Sequence, residues 1–162
     1  MVRILLAVIV SLCAFASPSL ADKNDARLVE GRSSLDTSRR DEAPSRGSAN
    51  VLKLAERYLG TNPTKMRRLW CANFVGMIEK KAGRSGSGSN FAKSYASYGK
   101  RVAKPQPGDI AVMGRKGGGH VGYFVGWAPN GKAILISGNS RGGKVSKGQY
   151  AASRIFAWRR PA

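Results

Sequence analysis

With 28 Lys and Arg against 9 Asp and Glu in 162 residues, the chain carries a formal charge of +19. Such a field attracts anionic partners without choosing among them. Two cysteines, Cys13 and Cys71, and a single histidine, His120, exclude a multi-disulfide scaffold and a Cys/His structural zinc site.

The N-terminus has the layout of a secretory signal. Arg3 is a positive start, Ile4 to Phe15 are an apolar run, and "SLA" (Ser19 to Ala21) offers small residues for cleavage after Ala21. The run is shorter than the ~20 residues a membrane span needs. Removing residues 1–21 takes Cys13 with it and leaves 141 residues, enough for one domain with a core. The mature protein is then exported, periplasmic or extracellular, with no transmembrane span. It keeps one thiol, Cys71, without a partner for an intramolecular disulfide. In an oxidising compartment such a thiol is either buried and inert or in use.

Residues 22–47 are rich in charge, Ser, Gly and Pro, with Leu28, Val29 and Leu35 as their sizeable apolar residues. This composition predicts a disordered basic and polar tether. The folded domain is expected over 48–162. Val51, Leu54, Ala55 and Tyr58 recur at helical spacing, with Gly60 and Pro63 closing that helix. A second helix is predicted from Cys71 to Ala82, with Phe74, Val75, Ile78 and Ala82 on its apolar face and Gly83 at its end. "FAKSYASYG" reads as a short third helix. Beyond Pro105 the pattern changes to strands: Asp109 to Met113, then "HVGYFVGW", then "AILIS" after the Asn-Gly hairpin signal in "APNGK", then "KVSKGQ" and "RIFAWRR". Helices followed by an antiparallel sheet make an α+β layout.

Three positions carry the candidate chemistry. Cys71 opens a helix, where first-turn N–H groups and the helix dipole favour a thiolate, with Arg67 and Arg68 adding positive potential. His120 opens a strand after three glycines and is the residue type that serves as base for a cysteine nucleophile. Asn139 follows one hairpin later, so strand pairing brings it towards His120, where a polar side chain can fix the imidazole tautomer; Ser137 is a second candidate for that role. Each residue alone has a bland reading as a core cysteine, a strand-end histidine or a loop asparagine. Helix-borne Cys, then His, then a polar residue on adjacent strands is together a papain-like order. Nothing in the sequence calls for a cofactor or metal: there is no HExxH or CxxC, and "GRKGGGH" lacks phosphate-loop spacing. Tyr123, Phe124 and Trp127 read as sheet faces rather than base-stacking platforms, and Asp109 as a turn residue at a strand entrance.

"WCANFV" (70–75), "PQPGDIAVM" (105–113), "GGHVGYFVG" (118–126) and "ILISGN" (134–139) resemble the NlpC-type and CHAP-type cysteine amidohydrolases. The tail "KVSKGQYAASRIFAWRRP" (144–161) is similar to a small bacterial branch of that superfamily. The resemblance implies a papain-like α+β fold, with N-terminal helices packed on a small antiparallel sheet. It implies Cys71 as nucleophile, His120 as base and Asn139 as the third polar position. Many CHAP-type members carry Glu where Ser137 stands here, so no carboxylate supports His120 at that point.

The reading is an exported cysteine amidohydrolase or endopeptidase that cleaves amide bonds of peptidoglycan. Its expected partners are peptidoglycan or its peptide and anionic envelope polymers. Nucleic acid is less favoured, and a monomer is expected. The alternative is a non-catalytic basic envelope- or polyanion-binding module on the same scaffold. A third option is an acyltransferase or a toxin delivered to rival cells.

Overall fold

The computed structural model describes residues 46–161. The expected signal segment, its cleavage after Ala21 and nearly all of the expected tether lie outside these residues. Two helices, α1 (Arg46–Glu56) and α2 (Cys71–Lys81), precede six strands: β1 (Lys100–Arg101), β2 (Ile110–Arg115), β3 (Gly118–Trp127), β4 (Ala133–Ser137), β5 (Ser146–Tyr150) and β6 (Ile155–Arg160). The architecture is α+β, as the change of periodicity at Pro105 predicts. "FAKSYASYG" forms a 3-10 segment, Ala92–Ser97, rather than an α-helix. The two-residue strand β1 is not marked by any period in the sequence.

All strand pairs are antiparallel, in the order β1-β6-β2-β3-β4-β5. Two hairpins build the centre. Arg115 pairs with Gly118, leaving a two-residue turn in which Gly117 takes φ +80°. Trp127 pairs with Ala133, and the Ala128 N–H donates to the Lys132 carbonyl across the Asn-Gly turn. The C-terminal strand β6 is inserted between β1 and β2. Asp109 fixes that insertion: its buried carboxylate takes a bidentate pair of bonds from Arg160 at 2.9 and 3.0 Å and a third from the Gln106 N–H at 2.7 Å. The turn residue expected from "PQPGD" is therefore also a buried ion pair, with enough hydrogen bonds to offset the desolvation of its charge.

Alternation along the strands sorts the core into two layers. Ile110, Val112, Val121, Tyr123 and Ile136 pack with Val51 and Ala55 of α1, with Phe74, Val75 and Ile78 of α2, and with Trp70 just before α2. Ala111, Met113, Phe124, Ala133 and Leu135 form a second cluster, flanked by Tyr150, Ile155 and Trp158. There Phe124, Trp127 and Trp158 meet edge to face with centroids 5.1 to 5.9 Å apart, so these aromatic rings stack on each other. The helical layer holds one buried carboxylate, Glu79, at the end of α2. Arg84 binds it twice (2.6 and 2.9 Å), and the Tyr98 and Tyr123 hydroxyls donate at 2.7 and 2.6 Å. These bonds tie α2 to β3 and to the segment that precedes β1.

Helix and sheet approach closely at Gly138, just past β4. A Cβ there would lie 2.5 Å from Trp70 Cζ3 and 2.6 Å from Phe74 Cβ. Gly138→Ala therefore overpacks the joint between the first turn of α2 and the end of β4. The expected loss is about 1–3 kcal/mol, read as a lower urea midpoint at unchanged m.

Candidate active site

Cys71 is the first residue of α2, so its N–H and those just after it have no intrahelical acceptor. The helix bonds begin with the Phe74 N–H donating to the Trp70 carbonyl. The backbone N–H groups of Val121 on β3, Ala72 and Cys71 act on the sulfur in the direction that favours its charged form. The Val121 donor is available because the β3–β4 pairing stops short of it: the ladder covers Tyr123 to Trp127, and β4 ends at Ser137. The sulfur thus lies near the amide that joins His120 to Val121. The cysteine is 3 % exposed.

His120 lies opposite Met113 on β2 and is also 3 % exposed. Its Nε2 is 3.0 Å from Ser137 Oγ, and its Nδ1 is 3.4 Å from an Arg115 guanidinium nitrogen. A guanidinium only donates, so Nδ1 is the acceptor nitrogen and Nε2 carries the proton, which it donates to Ser137. This tautomer leaves the basic lone pair on Nδ1. Among the described residues, no hydrogen bond joins the imidazole to the sulfur, and the Nδ1 position faces Arg115. Ser137 continues into a hydroxyl chain: Tyr150 OH stands 3.3 Å from Ser137 Oγ, 2.9 Å from Ser140 Oγ and 3.5 Å from His120 Nε2.

The structure brings Cys71, His120 and Asn139 to one end of the sheet, but the bond to the ring comes from Ser137 and not from the Asn139 side chain. The register explains why. Tyr123 faces Ile136, so a straight continuation sets Gly122 against Ser137 and His120 against Asn139. The chain leaves the extended conformation first: Asn139 has φ +49°, a left-handed conformation that asparagine tolerates better than most residues. Its carbonyl accepts from Arg115 at 3.2 Å instead. Ser137 remains on the strand, on the same face as His120 and diagonal to it. Gly122 keeps the space between them clear, since a Cβ there would meet Ser137 Cβ at 2.7 Å.

A cleft of about 240 Å³ opens beside the imidazole, lined by Arg115, His120, Asn139, Ser140, Tyr150 and Arg154. A larger one, about 450 Å³, starts at Ala72 and Asn73 and runs along α2 past Gly76, Met77 and Lys80 to Asn90. Reading the sequence missed Arg115, Ser140, Tyr150 and Arg154. The available signal for Arg115 was its place before the glycine turn that leads to His120, and for Tyr150 an aromatic residue closing an otherwise polar strand.

Electrostatics differ from the thiolate expected at a helix start. Burial pushes the Cys71 thiol above its usual range and outweighs the three N–H donors and the Arg115 charge, which act in the opposite direction. The cation that acts on the sulfur is Arg115, not Arg67 or Arg68. Burial, then Arg115, then Arg154 lower His120 from 6.5 to about 4. The resting pair is a neutral thiol beside a neutral imidazole. Among the described residues, no group of three or more His, Cys, Asp or Glu is placed to hold a metal ion.

Residues 62–139 match the CHAP domain family. Among solved structures, NlpC1 from Trichomonas vaginalis is similar in fold, with a TM-score of 0.53 at 20 % identity over 75 % of this chain. The present chain spans about half of that protein, 46 % of its length. No curated protein matches the sequence.

The imidazole carbon–proton signal of the chain's single histidine is expected to titrate near pH 4 rather than near 6.5, with Arg115→Gln moving the midpoint up. The sign for stability follows. The folded state holds the His120 proton more weakly than the unfolded chain, so this contribution is complete above about pH 6.5 and is lost as pH falls towards 4.

Proposed function

From a folded domain that belongs to the NlpC/CHAP papain-like cysteine peptidase superfamily, we propose an exported amidohydrolase that cleaves amide bonds in the peptide part of peptidoglycan. The single observation that carries this reading is the junction of α2 with β3. It holds the thiol of Cys71 in three backbone N–H groups, against the residue that bears the only imidazole.

The chemistry starts from the neutral pair. Nδ1 of His120 takes the Cys71 proton as the sulfur attacks the amide carbonyl, forming a C–S bond and a tetrahedral oxyanion. The N–H groups of Cys71, Ala72 and Val121 already surround the reacting atom, so they are the donors available to the negative oxygen. Collapse breaks the C–N bond, and the imidazolium gives its proton to the departing amine. Water, deprotonated by the same nitrogen, then releases the acyl group from sulfur. Throughout, Ser137 accepts from Nε2–H and keeps Nδ1 as the basic end. Ser137 is neutral, so it orients the ring without the charge stabilisation a carboxylate gives to an imidazolium. The cleft along α2 begins one residue beyond the nucleophile and has room for an extended peptide.

A strongly basic surface holds such an enzyme on anionic envelope polymer. The same charge, together with the buried thiol, favours a second reading as a non-catalytic polyanion-binding module. The two separate on one variant. For the enzyme, Cys71→Ala abolishes release of soluble fragments from purified peptidoglycan while wall binding persists, and mass spectrometry of wild-type products shows one new amine at a single bond type. For the binding module, wild type and Cys71→Ala release equally little. In both cases binding weakens steeply as salt rises, because exposed charges are screened over about 8–10 Å near physiological ionic strength.

Ser137→Ala removes one orienting hydrogen bond, worth about 1 kcal/mol. The expected effect is a fall in kcat of roughly five- to tenfold with KM little changed.

A further inference from the structure

Arg115 and Arg154 converge on the cleft beside His120 from two different elements, the end of β2 and the turn before β6. Among the described residues, neither has a carboxylate partner; the ion pairs present are Arg84–Glu79, Lys147–Glu56 and Arg160–Asp109. Their hydrogen bonds go to carbonyls and to the ring itself: Arg115 to the Asn139 carbonyl and Nδ1, Arg154 to the Gly114 carbonyl at 3.1 Å. Two uncompensated cations beside a base work against protonating it, and one of them covers the nitrogen the base must use. Guanidinium groups favour carboxylates because the fork of N–H donors matches two oxygens. Tyr150 OH and Ser140 Oγ supply further hydrogen bonds on the same wall.

We propose that this cleft is a subsite for a free carboxylate next to the scissile amide, and that its occupation draws Arg115 off Nδ1 and frees that nitrogen for the Cys71 proton. The substrate class is thereby narrowed to peptides with an unamidated acid close to the bond that is cut. The anion does two things at once. It docks the peptide, and it offsets the arginine charge that adds to burial in keeping the imidazole a weak base. A neutral amide at the same place does neither. The role in catalysis rests on the amidohydrolase reading, but the subsite itself does not.

The test separates the two. His120 is the only histidine, so its imidazole signals in a carbon–proton correlation spectrum are unambiguous. The probes are N-acetylalanine and its neutral amide, added to the wild-type chain, to the double variant Arg115→Gln/Arg154→Gln, and to Lys132→Gln. Lys132 lies on the exposed β3–β4 turn and controls for loss of charge. The acid is expected to shift the His120 signals saturably and raise their titration midpoint in wild type and Lys132→Gln. The amide is expected to do so at least tenfold more weakly. The double variant, checked for a native spectrum elsewhere, should lose the response. Equal responses to acid and amide, or a double variant that responds like wild type, overturn the subsite. In a second arm, wall peptides ending in the free acid are cleaved at least tenfold faster in kcat/KM than their amidated forms, and the double variant loses that preference. If no peptide is cleaved, the amidohydrolase reading fails while the spectra still decide whether the carboxylate site exists.

Discussion

The first turn of α2 lies directly on the end of β4, with no side chain between them at Gly138, and the rest of the site depends on that contact. Trp70 and Phe74 occupy the space a Cβ at Gly138 would take. Because the helix start is this close, its free N–H groups and the Val121 amide meet on one sulfur atom. The same contact places Cys71 where the β3–β4 ladder has run out, so that the Val121 N–H acts on the sulfur rather than on β4. A helix only slightly further from the sheet would leave the thiol in solvent and Val121 without its acceptor.

Two buried carboxylates hold this joint in place from opposite sides. Glu79 ends α2 and is held by Arg84, Tyr98 and Tyr123, so the helix cannot slide along β3 without breaking a saturated set of bonds. Asp109 immediately precedes β2 and is held by Arg160, which locks β6 beside the strand that leads to Arg115. Breaking a buried ion pair on one side strands the other charge and costs several kcal/mol, so such ties are rigid even when their net gain over an apolar pair is small. They keep a site built from four strands and a helix in register.

The thiol and the imidazole at this junction are both buried, and that decides their protonation states. A helix N-terminus and nearby arginines would favour a thiolate in water. Burial here reverses the balance for Cys71, and burial with two cations does the same for the imidazolium of His120. Charge separation between sulfur and ring is therefore left to the moment of reaction. The neutral hydroxyl of Ser137 suits that state, since it orients a neutral imidazole without adding a buried charge.

Much of this was legible in the sequence. The order of helices and strands, the Asn-Gly hairpin, the helix that opens at Cys71 and the strand that carries His120 all follow from periodicity and turn residues. These signals are local, set by one residue's neighbours in the chain. What the sequence could not give is whatever depends on where a regular element stops. Strand pairing extended by eye sets Asn139 against His120; the left-handed turn at Asn139 ends that pairing and hands the contact to Ser137. Arg115, Tyr150 and Arg154 escaped notice because they stand on three different elements, Arg115 remote in sequence from the other two, and no spacing rule links them. Composition and pattern settled that this chain builds helices on an antiparallel sheet with a lone thiol and a lone imidazole. Only the packed structure decided which groups surround that pair and which protonation states they hold, because both depend on distances and desolvation that arise when remote segments close around one another.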